Sequence, residues 1–109
     1  MKKLIVASLA LLIGGAISLR AADAKELWEK NCQKCHGEDG KGSKMGLKLG
    51  VKDYTDAKVQ EKMKDEEMTK AIKEGVKEKE TDKIKMKPFP DLSDDEVKAL
   101  VKYVRAFKK

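Results

Sequence analysis

The chain has 109 residues, with 25 basic and 19 acidic side chains and a formal net charge of +6 at neutral pH. This length suits one small domain rather than several. The basic excess is mild and argues against a nucleic-acid-binding protein, which needs a concentrated basic face.

The N-terminus has the pattern of an export signal. Two lysines after Met1 are followed by the apolar run Leu4 to Ile17 and then by small residues, the order found in secretory signal peptides. This run of 14 residues is shorter than the roughly 20 of a membrane-spanning helix, although an uncleaved N-terminal anchor is an alternative. We predict a signal peptide over residues 1–22, cleaved between residues 21 and 24. The mature domain, residues 23–109, is then periplasmic and not an integral membrane protein.

The predicted mature domain is poor in apolar side chains. It keeps 22 basic and 19 acidic residues, because residues 1–22 contain three basic residues and no acidic one. Only 15 of its 87 residues are Leu, Ile, Val or Phe, whereas 41 are charged. That composition is typical of a disordered chain, yet helix signals are clear. We infer that something other than side chains fills part of the core.

Helices are the only regular elements that the sequence predicts. Glycines punctuate residues 37–50, and residues 76–90 lack periodicity and hold both prolines. The last helix is predicted from a capping box formed by Ser93 and Glu96 and from an apolar face that begins at Val97. The earlier helices are expected at about residues 23–34, 55–62 and 65–74, the last of them ending at Gly75.

Both cysteines and the only histidine lie within five positions, as Cys32, Cys35 and His36. A zinc site needs further ligands, and no distant cysteine or histidine exists to supply them. A thioredoxin-like dithiol needs a βαβ pattern, which is absent, and a purely structural disulfide is a further alternative. C-x-x-C-H is also the attachment motif of a c-type haem. After an export signal, the haem interpretation is the strongest of the four.

Helical spacing explains this motif. Residues three apart share one face of a helix, so the thiols of Cys32 and Cys35 can add to the two vinyl groups at one porphyrin edge. His36, the next residue, then points its imidazole at the iron. Burying several hundred Å² of porphyrin at about 25 cal/mol per Å² contributes roughly 10 kcal/mol, which would supply the missing core.

The second axial ligand cannot be a histidine, because the chain has no other. Methionine is the remaining candidate type. Pro88 restricts Lys87 to an extended conformation, so the loop is stiff and keeps Met86 outside any helix, which favours Met86 as the ligand. A gap-filling role beside the ring is the alternative for Met86. The other candidates are Met45, Met63 and Met68, of which Met63 and Met68 fit helical core positions better.

The mature chain resembles a small monohaem class I cytochrome c. The matching segments are "LWEKNCQKCHGEDGKG", "KDYTD", "DEEMTKAIKEG" and "MKPFPDLSDDEVKALVKYVRAF". The resemblance implies an all-α fold of three to five short helices wrapped around one covalently bound haem. It implies a first and a last helix in contact, with Ala24 and Trp28 facing Leu100 and Tyr103. It also implies Cys32 and Cys35 as thioether attachment points, His36 as proximal ligand and Met86 as distal ligand.

Histidine and thioether ligands close both axial positions, and the thioether favours ferrous iron. The expected function is therefore that of a monomeric one-electron carrier, not an enzyme. Its partners would be membrane-bound or periplasmic redox proteins that dock at the exposed haem edge. A haem enzyme or small-ligand sensor with a labile distal ligand is the alternative. Lysines expected to border that edge and to attract an acidic partner are Lys34, Lys41, Lys44, Lys48, Lys85 and Lys87.

Overall fold

A computed structural model describes residues 21–109, with side chains from Asp23 onward. The signal peptide predicted over residues 1–22 falls almost entirely outside the described residues and stays a prediction. The described part contains six helices and one two-stranded antiparallel hairpin. These elements are α1 (Ala21–Asn31), α2 (Gln33–His36), α3 (Lys44–Lys48), α4 (Ala57–Lys62), α5 (Asp65–Glu74), β1 (Val76–Lys77), β2 (Ile84–Met86) and α6 (Asp94–Arg105).

The mostly helical fold is confirmed, with six helices in the described residues rather than three to five. One difference is that the predicted first helix is divided at Cys32 into α1 and α2. The other is α3, a single short helix inside the glycine-rich loop. It forms because the Ser43 hydroxyl accepts a hydrogen bond from the N–H of Gly46, at 3.1 Å, and so caps the helix.

The hairpin lies where no strand was predicted. Val76 pairs with Met86 and Lys77 with Ile84, with an irregularity between the two pairs. The strands have two and three residues, and Val76 and Ile84 are exposed. Because such strands are too short and too exposed to show alternating hydrophobicity, the sequence gives no sign of them.

The core is formed mainly by α1, α5 and α6. Trp28 of α1 and Leu100 and Val97 of α6 are the largest fully buried side chains among the described residues. The predicted capping box is present, since Ser93 and Glu96 exchange side-chain and backbone hydrogen bonds. Trp28 also contacts the Tyr103 ring, at a centroid distance of 5.5 Å. This contact agrees with the pairing of first and last helices that the resemblance implied.

A polar network ties α4 to the end of α6. The amide nitrogen of Gln60 donates to the carbonyl oxygens of Tyr54 and Val104, at 2.7 and 2.8 Å. The Arg105 guanidinium donates to the backbone oxygens of Gln60 and Met63, both at 2.6 Å. The network therefore fixes the segment that carries Tyr54 against the last helix.

None of the helices in the described range is long and apolar enough to cross a membrane.

Candidate haem-binding site

An apolar cleft opens between the haem-motif segment, α5 and α6. It has about 430 Å³ of empty space, part of it open to solvent. Protein interiors are otherwise closely packed, so an apolar recess at this point is a candidate binding site. Its lining includes Trp28, Cys32, His36, Tyr54, Met68, Ile72 and Met86.

The two cysteines lie at the junction of α1 and α2. Cys32 is only 8% exposed and lines the cleft, while Cys35 is half-buried on the next turn. Both are free thiols. Burial, and then the proximity of Cys35, raises the pKa of Cys32 to about 11, so its thiol is protonated at neutral pH. The structure thus places Cys32, but not Cys35, in the lining of the cleft.

His36 presents a neutral imidazole to the cleft. Burial lowers its pKa, and the uncharged ring is the form that binds a metal. Its Nδ1 atom is buried and has no hydrogen-bond partner, which is costly for a polar atom unless something engages it. The uncharged ring thus lines the cleft with a buried Nδ1 atom that no protein group engages.

Two thioethers, those of Met86 and Met68, reach the cleft. Met86 is half-buried at the end of β2, and Met68 belongs to α5. Met68 packs against the core, as its helical position predicted, but it also lines the cleft. Met63 packs against the core without reaching the cleft lining, and Met45 is 47% exposed on α3. Of the four candidate methionines, Met86 and Met68 are thus the two that line the cleft.

Tyr54 is a residue of the site to which the sequence reading gave no role. Its ring stacks on the imidazole of His36 at a centroid distance of 5.2 Å and an interplanar angle of 21°. Burial raises the pKa of Tyr54 to about 12, with a smaller contribution from Cys32, so the phenol stays protonated. The one feature of the sequence that could have indicated a role for Tyr54 is its position as a single aromatic residue in "KDYTD", between two turn-forming aspartates.

Gly46 brings α3 against the haem motif. A Cβ atom at this position would lie 1.7 Å from the carbonyl oxygen of Cys35, so no other residue fits without movement. The Ser43 hydroxyl donates to the Lys34 carbonyl oxygen at 2.6 Å, which holds the same contact. The sequence predicted that Gly46 lies in a loop, but it did not predict the contact with the Cys35 carbonyl oxygen.

Comparison with known proteins identifies the kind of molecule. Residues 19–104 match the family described as cytochrome c oxidase, cbb3-type, subunit III. The chain belongs to this family of c-type cytochromes.

Solved structures agree with this membership. The cytochrome is 39% identical to the KustC0563 c-type cytochrome, with a TM-score of 0.69, over 79% of this chain and 98% of that one. A point mutant of Kustc0563 gives 39% identity and a TM-score of 0.67, over 79% and 99% of the two chains. No curated protein matches the cytochrome.

The residues of the cleft fit the group that this family carries. A haem needs an apolar cavity with donor atoms for its iron, and the cleft supplies apolar walls, an unpartnered imidazole and two thioethers. Bound there, the haem supplies reversible one-electron exchange at its iron. The cytochrome is thus a small monohaem protein of electron transfer, which implies redox partners. Proteins of this type are typically exported.

Proposed function

We propose that this cytochrome is a periplasmic one-electron carrier whose single haem is attached through Cys32 and Cys35. In this proposal His36 and Met86 are the axial ligands. The observation that supports it best is that Cys32, His36 and Met86, from segments 50 residues apart, line one apolar cleft. Localisation rests on the predicted signal peptide, and N-terminal sequencing of the purified protein would test its cleavage.

Met86 is preferred to Met68 as the axial ligand because of the backbone conformation of its segment. Met86 stands at the end of a strand and is followed by Pro88, so its segment is held in an extended conformation. Met68 is on α5, where Ile72, one turn later, is buried in the core. A methionine fixed by helix packing has less freedom to approach the iron than one on a neighbouring loop segment. We therefore assign Met68 to the wall and Met86 to the ligand.

Two axial ligands from the protein make an electron carrier rather than an enzyme. They leave no position for a substrate, and the apolar walls exclude water from the iron. The alternative, a haem enzyme or a sensor of small ligands, requires a distal ligand that leaves readily. Binding of carbon monoxide to the reduced protein distinguishes these functions, since a stable thioether prevents it.

The docking surface for redox partners is proposed at the motif edge beside α3. Because α3 packs on the Cys35 backbone through Gly46, its outer face borders the attachment edge. Leu47 is 59% exposed on this face, next to the exposed lysines Lys44 and Lys48. An apolar centre with a cationic border fits an acidic redox protein. Further exposed lysines in neighbouring segments are Lys34, Lys41, Lys85 and Lys87.

The assignment of the haem and its ligands is tested by spectroscopy of the purified holoprotein. Extraction with acidified solvent should leave the haem on the wild-type chain, because thioether bonds resist it. The oxidised protein should show the sulfur-to-iron charge-transfer band of methionine ligation. Met86→Ala should abolish this band and open the ferrous iron to carbon monoxide.

Met68→Ala is the matched control, since it removes the other thioether of the cleft. It should keep the charge-transfer band and lose stability only. If Met68→Ala abolishes the band and Met86→Ala keeps it, the ligand assignment is wrong. Extraction of the haem from the wild-type protein would refute covalent attachment.

A further inference from the structure

Gly75, at the end of α5, lies directly against the segment that carries Met86. A Cβ atom on Gly75 would be 2.6 Å from the carbonyl oxygen of Met86 and 2.9 Å from the nitrogen of Pro88. Both distances are shorter than any normal contact of a side chain with backbone. The sequence predicted this glycine only as a helix stop, so the close approach is a second reason for its identity.

The backbone of Gly75 also excludes other residues. Its φ is 80° and its ψ is 179°, a conformation that is essentially restricted to glycine. An alanine here would have to rotate toward negative φ, and the chain entering β1 would turn with it. Conformational strain and steric overlap therefore act at the same point, and both displace the same neighbouring segment.

The Met86 segment is attached to the fold on either side of this contact. Before it, Met86 pairs with Val76, the residue after the glycine. After it, the Phe89 N–H donates to the carbonyl oxygen of Ile72 on α5, at 2.8 Å. The segment thus rests on the C-terminal end of α5, and Gly75 sets how closely it can approach.

We propose that Gly75 is a positioning residue for the distal ligand, because it sets how far the Met86 thioether extends into the cleft. The inference rests on the proposed function, in which Met86 binds the iron. A side chain at position 75 pushes the Met86 and Pro88 backbone away from α5. Since Pro88 stiffens the segment, it moves as a unit and takes the thioether with it. The flexible methionine side chain recovers part of this displacement, so ligation weakens rather than vanishing.

The test compares Gly75→Ala with Gly50→Ala in the holoprotein. Gly50 has a similar φ of 87°, but a Cβ atom there meets only the Lys85 amino group, at 3.7 Å, an ordinary contact. It therefore controls for a positive φ without the close approach. We expect Gly75→Ala to lose much of the charge-transfer band and to bind carbon monoxide at concentrations where the wild type binds none, in proportion to the fraction of open iron. Gly50→Ala should keep the wild-type values of both.

The outcomes distinguish the proposed ligand role of Met86 from the proposed positioning role of Gly75. If Met86→Ala abolishes the band but Gly75→Ala behaves like Gly50→Ala, Met86 is the ligand and the role of Gly75 is refuted. If Met86→Ala keeps the band, the ligand assignment itself fails. Should Gly75→Ala give no holoprotein, Gly75→Ala/Pro88→Ala is compared with Pro88→Ala, since removal of the proline ring relieves its contact at 3.1 Å while the overlap with the Met86 carbonyl oxygen, at 2.6 Å, remains. Equal bands in these two variants would also overturn the role of Gly75.

Discussion

Gln60 is the single polar side chain that is fully buried in the described part of the chain, at 3% exposure. Its amide nitrogen serves two carbonyl oxygens, and its amide oxygen accepts from Arg105 at 3.1 Å. Buried polar groups are tolerated when their hydrogen bonds are complete. Gln60 thereby holds Tyr54, whose ring stacks on His36, in place. Gln60 on α4 thus supports the His36 imidazole indirectly, through Tyr54.

Replacement of Gln60 by methionine, which has a similar volume and no amide, should destabilise the holoprotein. The carbonyl group of Tyr54 would lose its donor, at a cost of about 1–3 kcal/mol for the unsatisfied group, whereas the Val104 carbonyl oxygen keeps the Phe107 N–H at 3.1 Å. Denaturant unfolding of the holoprotein measures the change. Glu61→Met on the same helix is the control, because Glu61 is exposed, and it should stay within about 0.5 kcal/mol of wild type. Equal stabilities of the two variants would contradict this role of Gln60.

Local signals explain which residues the sequence could identify. Cys32, Cys35 and His36 are recognisable because their chemistry requires a fixed short spacing. Gln60 and Val104 are 44 positions apart, and no local pattern marks a hydrogen bond over that distance. From the sequence alone, Gly46 is an ordinary loop glycine and Gly75 an ordinary helix-cap glycine. Their close contacts depend on which segments the fold brings together.

At the scale of elements, helices with complete local signals were predicted closely. The observed bounds of α5 coincide with the predicted 65–74, and α6 begins with its predicted capping box. The hairpin and α3 were not predicted, since each is too short to show periodicity. These two elements adjoin the proposed site: β2 carries Met86, and α3 borders the haem motif. The two elements that the sequence did not predict, the hairpin and α3, therefore lie next to the proposed haem site.

The position of α3 predicts an effect of charge on electron transfer. Lys44→Glu/Lys48→Glu should slow oxidation of the reduced protein by ferricyanide, an anion, by about tenfold at low salt, because local positive potential attracts it. Stopped-flow rates at increasing ionic strength give the measurement. Lys98→Glu/Lys102→Glu on α6 makes the same change in net charge at exposed positions and should slow the reaction less. Identical salt profiles for both variants would remove the steering role of α3.

At the scale of the whole molecule, few apolar side chains form the interior. The described residues include eight fully buried hydrophobic ones: Ala24, Trp28, Cys32, Ile72, Val97, Leu100, Val101 and Val104. Several of these also line the cleft, so they face the ligand as well as each other. This arrangement agrees with the composition of residues 23–109, in which charged residues far outnumber large aliphatic ones. The haem would complete the core from inside.

Without haem the polypeptide should be largely unfolded. A haem-free Cys32→Ala/Cys35→Ala variant loses the roughly 10 kcal/mol expected from porphyrin burial, which is comparable to the whole stability of a small domain. Circular dichroism during thermal unfolding provides the measurement, with the wild-type holoprotein as reference. A cooperative transition of the variant at the wild-type midpoint would contradict the prediction.

The burial of Cys32 has a consequence for biogenesis. Cys32 is only 8% exposed in the folded structure, so an attaching enzyme would have little access to it there. If the haem is attached as proposed, the thioether bond to Cys32 would form while the polypeptide is still open, before the terminal helices meet. In such a sequence of events the cofactor is a participant in folding and not a late addition to a preformed receptacle.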